Sequence, residues 1–404
     1  MTKRPFRRAT RAGLVLVLGG ATVVAGCGGA PVLANDPLAF PSPPLPTARP
    51  SRPLDPIAIE LPRDDGPHDR LTEWWYYTGH LRSTADGHRY GFEAVVFRAE
   101  RGGAQVAWAS HLALTDENGQ VFTYAQRSEI GPQADHSPRG AGSAPSGFDL
   151  QVTGLNPELI AKGAPPIATP WRLAGSNGTD RIEAALSPAE AKASGRSFGL
   201  ALDLHSTKGP ALHDVDGFVD FGPAGSSYYY SRTRTATTGT LTVDGARLPV
   251  EGIAWFDHQW GDFISIGSGG WNWFAINLDD GRYITVSQVI DPHANALLTY
   301  GTLVTADGNV IPLDGNGIGL QTTGMQTWTS PHTGLTWARH WTVFVNQFQY
   351  ELEATVQDQE LDTRATTGVV YWEGSHRVST FTDVGQGPLG DAYVEMTRYD
   401  AFPN

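Results

Sequence analysis

Two nine-residue stretches concentrate the side chains able to move protons. One is Glu73-Trp74-Trp75-Tyr76-Tyr77-Thr78-Gly79-His80-Leu81, the other Trp255-Phe256-Asp257-His258-Gln259-Trp260-Gly261-Asp262-Phe263. Both mix carboxylates and histidine with tryptophan and tyrosine or phenylalanine; tryptophan and tyrosine rings are large and apolar with one polar tip. A carboxyl group walled by such rings has its pKa raised, because burial disfavours the anion. It can then remain protonated at neutral pH and protonate an unactivated double bond. Ring faces attract the cation that forms, and an imidazole can orient or deprotonate the water that quenches it. This chemistry needs no metal and no organic cofactor. It makes Asp257 the first choice of acid and Glu73 the second. His258 would handle the water, while Trp260, Trp74 and Trp271 would steady the cation. The competing view of Asp257-His258 is a buried pair that ties a turn between domains.

The same words recur in company. Ser227-Tyr228-Tyr229-Tyr230-Ser231, Gly270-Trp271-Asn272-Trp273-Phe274, Asp279-Asp280-Gly281, Tyr371-Trp372-Glu373-Gly374 and Tyr393-Val394-Glu395-Met396 follow in order. Together with E-W-W-Y-x-T-G-H-L and W-x-D-H-x-W-G, they resemble the signature of the carotenoid 1,2-hydratase (hydroxyneurosporene synthase) and AttH-like family, over roughly residues 57–404. The resemblance implies two lipocalin-like β-barrels joined side by side. It implies relatives that hydrate isoprenoid double bonds, and fungal relatives that hydrate a phenolic defence compound or guide ring closures. It also implies that acid–base work centres on Asp257, His258 and Trp260. His111, in Ala109-Ser110-His111-Leu112, resembles a further family position, although a core histidine explains it equally well.

Strand periodicity sorts the remaining candidates. Alternate residues of a strand share a face, so Trp74 and Tyr76 go together and Trp75 and Tyr77 go together. One pair lines a cavity and the other is core; His80 falls on the Trp74 face. Tyr230 is the phenol of its run placed at the ligand, and at most one of Trp271 and Trp273 is expected to reach the cavity. Tyr371 and Glu373 shape the second barrel, with Glu373 a candidate second acid.

The N-terminus reads as a delivery device. Lys3, Arg4, Arg7, Arg8 and Arg11 precede an apolar run from Leu14 to Val24, too short to span a bilayer and ending in Val24-Ala25-Gly26-Cys27. That ending resembles a lipobox, which predicts cleavage before Cys27 and lipidation of its thiol, and so an anchor in the bacterial envelope. As the chain holds one cysteine, no internal disulfide can form. Without residues 1–26 the charge balance is 24 basic groups against 42 acidic, or −18, which argues against nucleic acid as a partner. Nine prolines between residues 28 and 56 favour polyproline II over helix or sheet, so 27–56 reads as a tether.

From residue 57 onward, Gly, Pro, Asn and Asp punctuate short alternating runs such as Phe92–Phe97, Leu200–His205 and Tyr283–Ser287. Thr240–Val243 followed by Asp244-Gly245 predicts a hairpin. The one convincing helix follows Ser187-Pro188. The fold class is therefore all-β, with barrel closure managing the strand edges. The polar, β-branched run Arg234–Thr240 suggests a division into an N-terminal barrel, 57–236, and a C-terminal barrel, 237–404. Gly195-Arg196-Ser197-Phe198-Gly199 matches a nucleophile-elbow pattern but lacks the strand–turn–helix it requires. His213-Asp214-Val215-Asp216-Gly217 lacks the closing glutamate of a calcium loop. The expected protein is a lipid-anchored hydratase-like enzyme acting on an apolar molecule, or alternatively a lipocalin-type carrier of one.

Overall fold

The computed structural model describes residues 55–398 except 102–103, 141–143, 222–224, 264–268, 323–324 and 383–384, with only the backbone described for 381–389. Cys27, the leader and nearly all of the tether lie outside the described residues. The alternating runs form strands. The first twelve are β1 (Thr72–Ser83), β2 (Arg89–Ala99), β3 (Ala107–Asp116), β4 (Val121–Ile130), β5 (Phe148–Gly154), β6 (Ile167–Ser176), β7 (Thr179–Ala185), β8 (Phe198–Ser206), β9 (Ala211–Leu212), β10 (Phe218–Asp220), β11 (Ser226–Val243) and β12 (Ala246–Gly261). They make one antiparallel sheet in the order β4-β3-β2-β1-β12-β11-β8-β7-β6-β5, with β9 and β10 beside β11. A bridge from Arg127 in β4 to Leu155 just past β5 draws the ends together.

The second sheet contains β13 (Gly270–Leu278), β14 (Tyr283–Ile290), β15 (Ala296–Val304), β16 (Val310–Leu313) and β17 (Ile318–Gln321). A separate ribbon, β18 (Thr327–Thr329) and β19 (Thr336–Ala338), precedes β20 (His340–Val345), β21 (Phe348–Ala354), β22 (Glu360–Asp362), β23 (Val370–Thr382) and β24 (Gly385–Arg398). Its order is β16-β15-β14-β13-β24-β23-β21-β20-β17, with β22 on β23. Both sheets are nearly closed antiparallel barrels of lipocalin-like form, which removes most of the exposed edge. The expected helix spans Pro188–Ser194, where Ser187 and Glu190 form a reciprocal capping box. A second, five-residue helix, Pro157–Ala161, has no counterpart among the sequence expectations. At the hairpin between β11 and β12, Asp244 and Gly245 both have positive φ, 48° and 84°, the twist that a two-residue hairpin turn requires.

Each barrel has its own core, around Trp75, Tyr77, Trp171 and Phe256 in the first and Phe274, Trp341, Leu352 and Trp372 in the second. A third apolar cluster joins them: Tyr76, Val95 and Trp255 pack on Trp273, Ala275, Tyr283 and Tyr393. β1 is therefore covered on both faces. That is why its sequence carries large rings at consecutive positions instead of alternating with polar residues.

The division expected between 236 and 237 falls instead in the middle of β11. The polar run Arg234–Thr240 begins at a bulge between Arg232 and Thr235, where an eighteen-residue strand bends within the first sheet. Its hairpin partner β12, which holds the second motif, also belongs to the first sheet. The chain passes from one sheet to the other between Gly261 and Gly270.

Candidate active site between the barrels

The two motifs are neighbours. β1 and β12 pair antiparallel, with Glu73 opposite Trp260, Trp75 opposite His258 and Tyr76 opposite Asp257. Opposed residues share a face. Glu73, Trp75, His258 and Trp260 thus point into the first barrel, while Trp74, Tyr76, Trp255 and Asp257 point out of it, toward the second. Asp257 and His258 are consecutive in one strand and cannot act on the same molecule. This corrects both expectations for them, the acid–base pair and the turn-tying pair.

The inner face is an ion network centred on Glu73. Glu73 Oε1 takes His68 Nδ1 at 2.7 Å and His258 Nε2 at 3.0 Å, and Glu73 Oε2 accepts the His68 backbone N–H at 2.9 Å. The other His68 nitrogen lies 3.4 Å from Asp64 Oδ1. Trp260 stacks flat on His68 with ring centroids 4.0 Å apart, and Trp75 stacks on His258. Although Glu73 is buried, these imidazoles hold its carboxyl down at about 2, while its charge raises His68 above the ordinary histidine value despite burial. The three ligand atoms lie within 4.8 Å of one another, the spacing at which a metal ion could be shared. Two of the separations, however, are those of hydrogen bonds, with both imidazoles directed at one carboxylate oxygen. Glu73, His258 and Trp260 are thus buried on the inner face of the first barrel and are not among the residues that line the cavity between the barrels, which corrects the catalytic roles expected of them.

The outer face opens on a cavity between the barrels. Trp74, Tyr76, Glu93, His111, Tyr229 and Asp257 line it from the first barrel, and Trp271, Trp273, Tyr300, Tyr371 and Glu395 from the second; no lysine or arginine is among the lining residues. Pockets at the junction of two domains are common ligand sites. Asp257 is held by three donors. Tyr229 Oη donates to its Oδ2 at 2.6 Å, Trp255 Nε1 to its Oδ1 at 2.6 Å, and Ser231 Oγ also to Oδ1. Burial nevertheless pushes its pKa up to about 6 against those three hydrogen bonds. Behind it His213, wholly buried, contacts Ser231 Oγ at 2.7 Å and Thr302 Oγ1 at 2.8 Å and stacks on Tyr229.

Three more buried carboxyl groups cluster here. Burial pushes Glu93 up to about 8 and Glu395 to about 7, although Trp271 Nε1 and Thr397 Oγ1 both donate to Glu395. Glu373 pairs across the strands with Glu395. Burial, and then the charges of Glu93 and Glu395, raise it well above the ordinary range. Neither of its oxygens has a hydrogen-bond partner among the described residues.

Other expected residues divide. Trp74, Tyr76, His111 and Tyr371 line the cavity. Trp271 and Trp273 both do, against the expectation of one, because residues two apart in a strand share a face. Tyr230 points inward and bonds Asp65 at 2.5 Å, so Tyr229 is the phenol that faces the cavity. His80 contacts Glu117 and Ser375 at the far end of the interface, beside the Glu117–Arg377 and Arg89–Asp391 ion pairs, and is not among the lining residues. Sequence reasoning misses Glu93, Tyr229, Ser231, His213 and Glu395 as site residues. Glu395 and Tyr229 sit inside recurring motifs, while Glu93 stands alone in an apolar run.

The family model of AttH-like proteins matches residues 52–399. An AttH-like protein from Nitrosomonas europaea has a similar structure, with a TM-score of 0.68 and 25% identity, covering 86% of this chain and 98% of that one. The kievitone hydratase of Nectria haematococca matches with a TM-score of 0.58 and 17% identity over 85% of this chain and 94% of its own. No curated protein matches the chain.

Proposed function

Since the chain belongs to the AttH-like family, we propose that it is a cofactor-free, hydratase-like enzyme acting on an apolar, unsaturated molecule held between its barrels. The substrate class is isoprenoid, lipid or polyketide-like, and the chemistry is hydration or a related isomerisation. One observation carries this proposal: carboxyl groups in one aromatic cavity have been given opposite hydrogen-bond environments. Asp257 has three donors, which favour its anion, whereas burial pushes Glu93 up to about 8 and Glu373, raised further still from its ordinary range, has no hydrogen-bond partner among the described residues. Pairs of acids pushed apart in this way divide the labour. Asp257 then takes a proton from the attacking water, and a neutral carboxyl protonates the carbon. This exchanges the role expected for Asp257 from acid to base. Trp271 and Trp273 would shelter the cation between the two events. The fold shared with kievitone hydratase supports a hydratase-like reading.

Native mass spectrometry of the full chain, incubated with kievitone and with linear isoprenoid alkenes, tests this. A product heavier by one water, lost in Asp257→Asn, is expected. A bound, unmodified ligand in both proteins would transfer the assignment to a lipocalin-type carrier. We also propose that Cys27 anchors the protein to the bacterial envelope, supported by the basic leader and the placement of the single cysteine. Cys27→Ser should release the protein from membranes, and unchanged attachment would remove the anchor.

A further inference from the structure

A chain of hydrogen bonds running from the cavity wall closes in only one direction. Gln126 Nε2 donates to the Asp362 carbonyl at 2.8 Å, so Gln126 Oε1 is left as an acceptor. Thr366 Oγ1, 2.7 Å from that oxygen, has one hydrogen and gives it there; the Thr363 carbonyl is more distant, at 3.3 Å. His111 Nε2 lies 3.1 Å from the same threonine oxygen and must donate to it. His111 is fully buried with no carboxylate on either ring nitrogen, and burial lowers its pKa to about 3, so the ring is neutral and Nδ1 is bare. Nδ1 therefore accepts from the Tyr371 hydroxyl at 2.7 Å. Tyr371 has no further hydrogen to give, yet its oxygen lies 2.8 Å from Glu93 Oε1. Two oxygens at that separation without a hydrogen between them would repel.

We infer that Glu93 carries that hydrogen and is the neutral acid that protonates the substrate, with Tyr371 and His111 as the positioning residues that deny its anion a donor. This rests on the hydratase-like reading above and names the acid within it. Glu93 lines the cavity, and its second oxygen has no hydrogen-bond partner among the described residues. Around it stand Tyr76 and His111 from the first barrel and Glu373, Glu395, Tyr371 and Tyr393 from the second. None of these is a cation at neutral pH, and the hydroxyl within hydrogen-bond reach of Glu93 among the described residues, that of Tyr371, is committed by this chain to His111. In the reaction the Glu93 O–H bond breaks as a C–H bond forms. The water oxygen then bonds to the cationic carbon, and its proton passes to Asp257. Exchange with solvent returns a proton to Glu93 and removes one from Asp257 before the next turnover.

The direction of the chain can be read without a substrate. Nitrogen NMR of the histidine-labelled full chain, with His111 assigned by loss of its signal in His111→Asn, reports which ring nitrogen carries hydrogen. The inference requires the Nε2–H form at neutral pH. On raising the pH through the Glu93 transition, Tyr371 turns to the new carboxylate and His111 changes to Nδ1–H. Glu93→Gln, whose amide N–H replaces the acid as donor, should hold Nε2–H at every pH. An Nδ1–H ring at neutral pH would overturn the assignment. Turnover of kievitone or linear isoprenoid alkenes supplies the second readout. Glu93→Gln should lower kcat about 100-fold, with KM within about threefold. Wild-type turnover that survives in Glu93→Gln would remove Glu93 as the acid and leave the hydratase-like reading standing. Failure of the wild type on every probe would remove that reading, and the catalytic role of Glu93 with it.

Discussion

The two faces of β1 and β12 place carboxylates in opposite electrostatic company. On the inner face Glu73 is wholly buried, but two imidazoles and a backbone N–H hold it as an anion at about 2. One strand pairing away, on the outer face, Asp257 has only neutral donors, and Glu93, Glu373 and Glu395 have fewer still, so burial prevails and all are raised. Burial alone therefore does not define a catalytic acid. What separates a structural carboxylate from a reactive one here is whether a cation stands within hydrogen-bond reach.

The largest expected difference between the faces is in stability. Glu73→Ala leaves the buried His258 and the half-buried His68 around a missing anion, and breaking a buried pair costs about 3–5 kcal/mol. Glu93→Gln removes an acid that is already neutral when folded and should not lower stability; at neutral pH it should raise it, because the unfolded chain no longer gains by ionising Glu93. Denaturant unfolding compares them directly, and equal losses would erase the distinction between the two faces.

The faces should also respond to pH with opposite signs. Glu73, lowered to about 2, contributes stability above its unfolded value near 4.5, and that contribution is lost as the pH falls toward 2. Glu93 and Glu395, raised to about 8 and 7, bind protons more tightly when folded. Their contribution is complete below about 4.5 and is lost as the pH climbs through 7 and 8. Each tenfold change in proton affinity corresponds to about 1.4 kcal/mol, so the unfolding midpoint should decline measurably between about pH 7 and 8, above the range in which the buried His111, His213 and His376 add stability as the pH rises. The decline should flatten in the Glu93→Gln, Glu395→Gln double variant and persist in Glu73→Gln. A midpoint indifferent to pH in this range would show that the outer carboxyls are not held neutral.

Much of this is legible in the chain without its fold, and the failures share one cause. The all-β class, the Asp-Gly hairpin, the capped helix and the partition of Trp74 and Tyr76 from Trp75 and Tyr77 follow from local chemistry and a period of two. The same period, applied to the second motif, separates Asp257 from His258 and unites Trp271 with Trp273; there composition misleads where geometry would not. The barrel boundary fails because a bulged strand and a linker can share the same polar, β-branched composition. Glu93 is illegible for a tertiary reason: a lone carboxylate in Phe92–Phe97 reads as solvent-facing, and it does face out of its barrel, but a second barrel covers it. His213 and Tyr229 meet Asp257 only through strand pairing and a loop, which no spacing reveals.

The smallest expected effect distinguishes ligand contact from core packing among the tryptophans. Trp273 lines the cavity, and its Nε1 donates to Tyr229 Oη at 3.1 Å, the same oxygen that donates to Asp257. Trp273→Phe keeps an aromatic wall but withdraws one neutral hydrogen bond from that relay, worth about 1 kcal/mol. Ligand affinity should therefore fall by no more than about tenfold, and the apparent pKa of the turnover profile should rise slightly, because Tyr229 becomes a weaker donor to the Asp257 anion. Trp260→Phe changes a ring stacked on His68 at the far side of the same sheet. It should lower stability by a similar amount and leave ligand affinity and the pH profile where they were. Isothermal titration with kievitone or an isoprenoid alkene, paired with thermal unfolding, separates the two. If the Trp260 variant changed the profile as much as the Trp273 variant, the β12 strand would be transmitting between its faces, and the division of labour drawn from its register would have to be given up.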